Sequence, residues 1–264
     1  MFFKTIYRLS AIIILFAASV AGSNSVQREA TLSSTPAISE TPPISPTSSI
    51  QTVTPRPLSP ARDVSDYAFP ESIDPAKQYM FYLHGKIIED QGIPAISPDF
   101  GEYEYDAILE KLSGYGFVVI SEQRPKDTVS GAYARKVTER VTALLNAGVP
   151  AKNITVVGAS KGTGIAILVS HLLENKEIYF VIMAICDPVT VEQLRQDQTY
   201  LYGNMLSIYD SSDEWAGSCQ ELLSFSEGKG ISRYDEVILN IGTGHGILYK
   251  PLDEWLIPSV GWAR

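Results

Sequence analysis

The sequence predicts an α/β fold, a mostly parallel sheet of about six strands with helices on both faces. From residue 78 onward, short apolar runs alternate with stretches whose apolar residues recur at helical spacing. The runs are apolar throughout rather than alternating with polar residues. That is the pattern of strands buried on both faces of a parallel sheet. Right-handed crossovers then bring the C-terminal ends of all these strands to one edge, where an open α/β sheet keeps its site.

The elements follow in order. "QYMFYLHG" is a short apolar run ending at Gly85 and reads as the first strand. "YEYDAILEKLSGYG" sets Tyr105, Ile108, Leu109 and Leu112 on one helical face and ends at Gly114 or Gly116. "FVVISEQ" is the second strand. The next helix carries Tyr133, Val137, Val141, Leu144 and Leu145 as one stripe, closed by Gly148 and Pro150. "NITVVGA" is the third strand and "KGTGIAILVSHLLEN" the helix after it. "YFVIMAICD" is the fourth strand, and "VEQLRQ" is at most a short helix. "NMLSIYD", "CQELLSFSEG" and "DEVILNIG" give a fifth strand, a helix and a sixth strand. "PLDEWLIPSVGWA" reads as a terminal helix. The segment before "NMLSIYD" is too short for a lid domain, and no strand pair precedes "QYMFYLHG" to make an antiparallel edge.

Residues 1–22 read as a secretory signal peptide. Lys4 and Arg8 flank the start of an apolar run from Leu9 to Ala21, and Ser19-Val20-Ala21 fits a small-residue cleavage site. The run is shorter than the roughly 20 residues of a membrane-spanning helix. A secreted or periplasmic location without a stable membrane span follows, with an uncleaved membrane anchor as the alternative. Residues 23–65 are dominated by Ser, Thr and Pro and bury too little to offset their chain entropy. They read as a disordered linker, which leaves residues 66–264 as the folded domain.

A net charge of −9 argues against nucleic acid as the partner, since phosphate neutralisation needs a basic surface. The chain has two cysteines, Cys186 and Cys219. Export would let them pair as a disulfide; two buried thiols are the alternative. No Cys/His cluster has zinc spacing, and neither H-E-x-x-H nor an EF-hand loop occurs, so no metal is implied.

The stretch "ITVVGASKGTGIAI" supports two chemistries. Its glycines are spaced much like the phosphate-binding turn of short-chain dehydrogenases. It is also G-x-S-x-G, the strand-to-helix turn that presents a nucleophilic serine. A dinucleotide turn normally follows the first strand of its domain, and this one follows the third. No Tyr after Gly164 has Lys four residues on, as that oxidoreductase chemistry requires. The nucleophile reading needs an acid and then a histidine later in the chain. Asp213 follows the fifth strand and His245 the sixth.

With "LHG" at 83–85, "GYGFVVISEQR" at 114–124, "GASKG" at 158–162, "SIYDSSD" at 207–213 and "GTGHG" at 242–246, the chain resembles the α/β-hydrolase family over its folded part. Serine esterases, lipases and dienelactone-hydrolase-like enzymes are its members of this kind. The resemblance implies a compact hydrolase fold without a lid. It implies a serine hydrolase cleaving an ester or related acyl bond of a small-molecule or polymer substrate, with no cofactor. It assigns Ser160 as nucleophile, His245 as base and Asp213 as the acid that orients it. Backbone N–H groups of Lys161 and Lys86 would form the oxyanion hole.

Asp210 and, more remotely, Asp187 remain as alternative acids, Asp210 otherwise bracing the turn. His171 lies eleven residues along the helix from Ser160, about 16 Å away, and cannot reach it. The family often has a structural histidine where His84 stands. The Lys86 and Lys161 side chains are read as solvated, or else as attracting an anionic substrate group. A non-catalytic binding protein on the same fold is the alternative from another class.

Overall fold

The computed structural model describes residues 67–264. The signal-peptide and linker expectations, on residues 1–22 and 23–65, lie outside the described residues. Six parallel strands form the main sheet: β1 (Tyr79–Leu83), β4 (Val118–Ile120), β5 (Ile154–Ala159), β6 (Tyr179–Met183), β7 (Tyr202–Asp210) and β8 (Gly230–Leu239). Their order is β4-β1-β5-β6-β7-β8, and every neighbouring pair is parallel. Among the described residues no antiparallel strand joins this sheet.

Alternate residues of each strand feed opposite faces. Tyr79, Phe81, Val156, Phe180, Ile182 and Met205 pack with α3 (Ser130–Asn146), α4 (Lys161–Leu173), α5 (Pro188–Gln196) and α6 (Gln220–Phe225). Met80, Tyr82, Val157, Val181, Leu206 and Ile208 pack on the other side with α2 (Tyr105–Gly114) and α7 (Asp253–Trp262). This explains why the strands read as unbroken apolar runs: each residue has a buried face to fill.

Three features depart from the sequence reading. A six-residue helix, α1 (Lys86–Gln91), starts directly after Gly85, where only a loop was expected. An antiparallel pair, β2 (Ile96–Ser97) with β3 (Gly101–Glu102), stands outside the main sheet before α2. The segment expected to hold at most a short helix forms α5 over nine residues. Asp187 caps it, its Oδ1 accepting the N–H of Val189 at 3.0 Å and of Thr190 at 3.1 Å, with Pro188 in the first turn. That capping task occupies the remotest of the three candidate acids.

Cys186, after β6, and Cys219, at the start of α6, form a disulfide with their Cα atoms 5.1 Å apart. It ties the loop after β7 to the loop after β6. The sequence separation of 33 corresponds to about 3–4 kcal/mol of chain-entropy stabilisation. The double variant Cys186→Ala/Cys219→Ala is therefore expected to lose about 3–4 kcal/mol of unfolding free energy. A urea titration that fits midpoint and slope together checks it; an unchanged unfolding free energy would mean that the bridge constrains nothing.

Candidate active site

One residue, Ser160, separates the end of β5 from the start of α4. Its backbone sits at φ 51°, ψ −118°, a conformation that a side-chain-bearing residue adopts only under constraint. The constraint is visible. The Ser160 N–H donates to the Met183 carbonyl at 3.0 Å, and the Ser160 carbonyl accepts the Thr163 N–H at 2.8 Å. Thr163 Oγ1 lies 2.7 Å from the Gly158 and Met183 carbonyls and accepts the Met183 N–H at 2.9 Å. No side chain fits at the flanking glycines. A Cβ on Gly162 would stand 1.8 Å from the Leu83 carbonyl, and one on Gly158 2.5 Å from the Gly162 carbonyl. Strand, turn and helix are pressed together, which leaves the half-buried Ser160 as the tip of the turn.

The carboxylate that ends β7 and the one three residues beyond it have different tasks. Asp213 Oδ2 lies 2.8 Å from His245 Nδ1, and its Oδ1 accepts the Trp215 N–H at 2.9 Å. Asp210 is fully buried and faces the turn instead. Its Oδ1 accepts from the Ser212 N–H at 2.8 Å and the Ser212 hydroxyl at 2.5 Å, and its Oδ2 accepts from the Ile241 N–H at 3.1 Å. Burial alone would raise the Asp210 carboxyl, but the Ser212 hydrogen bonds, joined by those of Ile241 and Thr243, outweigh it and hold the group below the usual carboxylate range. The Ser212 hydroxyl in turn accepts the Gly244 N–H at 3.0 Å, across from the histidine turn Gly244–Leu248. Asp210 thus ties the two loops that bear Asp213 and His245.

The Lys161 side chain is not solvated as expected. Its ammonium pairs with the buried Glu89 and donates to the Thr128 carbonyl at 2.8 Å. Glu89 also accepts from Arg124 Nε at 2.6 Å, both side chains having no exposure. Arg124 closes this network on His84, donating its backbone N–H to His84 Nε2 at 2.9 Å and its guanidinium to the His84 carbonyl. Burial, then the Arg124 charge, lowers the His84 pKa to about 3, so this histidine is neutral and structural. Lys86 is partly exposed and pairs with Asp90, its Nζ 2.6 Å from Oδ1. The Lys161 ammonium therefore has a buried acidic partner, which departs from both readings of the sequence, whereas that of Lys86 keeps its exposure to water beside a partly exposed Asp90. Lys86 and Lys161 open α1 and α4, and first-turn helix N–H groups have no partner within their own helix.

Glu89→Gln would leave Arg124 buried without its counter-charge, at an expected cost of about 3–5 kcal/mol. Denaturant unfolding checks this, and a loss under about 1 kcal/mol, the worth of a surface pair, would contradict it.

His171 is remote, its Nδ1 3.2 Å from the Tyr200 carbonyl and its ring beside Tyr202. Two aromatic residues escaped the sequence reading. The Trp215 and Phe100 ring centroids lie 5.1 Å and 6.4 Å from that of His245. Trp215 is two residues past Asp213, a position that could have flagged it; Phe100 comes from the unexpected hairpin and had no local signal. Among the described residues no cluster of His, Cys, Asp and Glu could hold a metal ion, and no helix is long and apolar enough to cross a membrane.

No protein-family model matches the chain, and no curated protein does. Solved structures of similar shape include SOBER1 of Arabidopsis thaliana, at 12% identity and a TM-score of 0.47, covering 71% of this chain and 98% of that one. A phospholipase/carboxylesterase from Dyadobacter fermentans matches at 13% identity and a TM-score of 0.44, covering 63% and 82%. The Bacillus cereus carboxylesterase matches at 14% identity and a TM-score of 0.43, covering 72% and 89%. The fold rests on the chain's own topology: a parallel sheet in the order β4-β1-β5-β6-β7-β8, flanked by helices on both faces, with the strained Ser160 turn after β5. The described residues have the α/β-hydrolase fold.

Proposed function

We propose that this protein is a serine hydrolase that cleaves an ester or related acyl bond through a Ser160–His245–Asp213 triad. The observation that carries the reading is the Asp213–His245 pair at 2.8 Å, built on the loops after β7 and β8 of a sheet whose β5 ends in the strained Ser160 turn. Asp213 takes His245 Nδ1 and fixes the tautomer, which leaves Nε2 as the basic atom. Nε2 accepts the Ser160 hydroxyl proton as Oγ bonds to the substrate carbonyl carbon. The resulting oxyanion is held by backbone N–H groups at Lys161 and Lys86, the first residues of α4 and α1. The carbon–oxygen bond to the leaving group breaks, and the departing oxygen takes the proton from Nε2. Water, deprotonated by the same nitrogen, then releases the acid and restores Ser160. The Lys161 ammonium is engaged by Glu89 and takes no part.

The reading includes export to an oxidising compartment. The N-terminal signal pattern and the Cys186–Cys219 bridge support it. A fluorophosphonate probe followed by peptide mass spectrometry tests the catalytic proposal. A single adduct on the peptide containing Ser160 is expected, because only an activated serine reacts. A folded protein that takes no label would be a binding protein on the same fold, and the proposal would fall.

A further inference from the structure

The surroundings of His245 also specify the leaving group, an inference that rests on the hydrolase reading above. The imidazole has aromatic rings from two distant segments beside it. Trp215 and Phe100 meet edge to face with centroids 5.6 Å apart, at 82° between their planes. Phe100 is held from behind by Tyr249 at 5.3 Å, and it lies so close to Gly246 that a Cβ there would come within 3.1 Å of its ring. Trp215 is anchored through its backbone, whose N–H donates to Asp213, yet the residue is 52% exposed. The indole thus lies beside the proposed catalytic base and leaves half its apolar surface open to a ligand.

We propose that Trp215 and Phe100 form a subsite for an aromatic group on the leaving alcohol. The departing oxygen must come within a hydrogen bond of His245 Nε2 to take its proton. Whatever that oxygen carries is then beside the imidazole against which the two rings lie, with centroids 5.1 Å and 6.4 Å from its own. The acyl substituent is attached through the carbonyl carbon, one bond farther from the oxygen that meets Nε2. An aryl ring meets Trp and Phe in edge or offset contacts that add to simple area burial, and an alkyl group of one or two carbons cannot. The preferred substrates are therefore aryl or arylalkyl esters, with the aromatic ring on the alcohol side.

Three esters separate the sides. Benzyl acetate and ethyl acetate share an acyl group, whereas methyl phenylacetate moves the ring to the acyl side. Trp215→Ala retains the backbone N–H to Asp213. It is expected to lower the ratio of kcat/KM for benzyl acetate over ethyl acetate about tenfold. Trp215→Phe should restore most of that ratio, and methyl phenylacetate relative to methyl acetate should hardly move. An unmoved benzyl-to-ethyl ratio, or a loss on methyl phenylacetate instead, would overturn the subsite. A binding arm keeps the two readings apart. Saturation-transfer NMR of benzyl alcohol should give a signal with Ser160→Ala that disappears in Ser160→Ala/Trp215→Ala. That pattern in a protein whose native form takes no fluorophosphonate label would leave the subsite standing and sink the hydrolase. Labelling without any benzyl alcohol signal would do the reverse.

Discussion

Ser160→Ala is expected to reduce hydrolysis of p-nitrophenyl acetate to background, a loss of roughly 10⁶-fold in kcat if the triad acts as a unit, as in a comparable serine enzyme. Alanine keeps the Cβ, so it inherits the same backbone position at φ 51° and should fold as the native protein does. Ser160→Gly offers a sharper control. Glycine removes a strain of about 1–3 kcal/mol at such a position. It also gives the unfolded chain more freedom, at about 0.4–1 kcal/mol. The first effect is the larger, so the glycine variant should be equally inactive but more stable than the alanine variant. Urea titration of both, beside the ester assay, reads the two effects separately. Retained hydrolysis in pure, folded Ser160→Ala would refute the elbow assignment. A glycine variant less stable than the alanine variant by about 0.4–1 kcal/mol, with activity lost in both, would instead mean that the turn carries no strain.

What the sequence made legible follows from what leaves a local trace. The strands β5, β6 and β7 were visible because burial on both faces fills most of their positions with apolar residues. The first half of β8 was missed for the opposite reason. It is an edge strand whose exposed Ser232 and Arg233 suit an edge and read as loop. The short α1 and the β2–β3 hairpin are cut by Gly92, Pro94 and Pro98, so their residues show no period long enough to detect.

The candidate site divides in the same way. Ser160, Asp213 and His245 stood out because each follows a strand and two of them lie between glycines. The Glu89–Arg124–Lys161 network joins residues 35 and 72 positions apart and depends on burial alone, so each looks like an ordinary surface charge in the sequence. Asp210 and Asp213 could not be separated by spacing. The turn between them decides which one faces His245, and that turn is set by Ser212, which bonds back to Asp210 and across to Gly244.

The separation of those two carboxylates gives the second large effect. Asp213→Asn would present an amide N–H to His245 Nδ1, forcing that nitrogen to accept and moving the ring proton to Nε2, where the base must be free. In a comparable triad this change of tautomer lowers kcat by about 10⁴. Asp210→Asn acts elsewhere. One amide oxygen can still serve Ser212, but the NH₂ would face the Ile241 N–H, donor against donor. Losing a hydrogen bond to a charged group costs about 1.5–3 kcal/mol. Even if all of it is felt in the transition state, the rate falls by only about 10–150-fold, and most of the cost should appear as lost stability.

The pH profile of stability provides a second readout. The native Asp210 carboxyl is held below its ordinary value of 3.8. Its contribution is therefore complete above that pH and is lost as pH falls through the depressed folded-state value. Asp210→Asn should flatten the acid limb of the stability curve, whereas Asp213→Asn should chiefly remove activity at neutral pH. A larger rate loss at Asp210 than at Asp213 would overturn the division of labour, because a brace that acts through Ser212 and Ile241 cannot outweigh the group bonded to the imidazole.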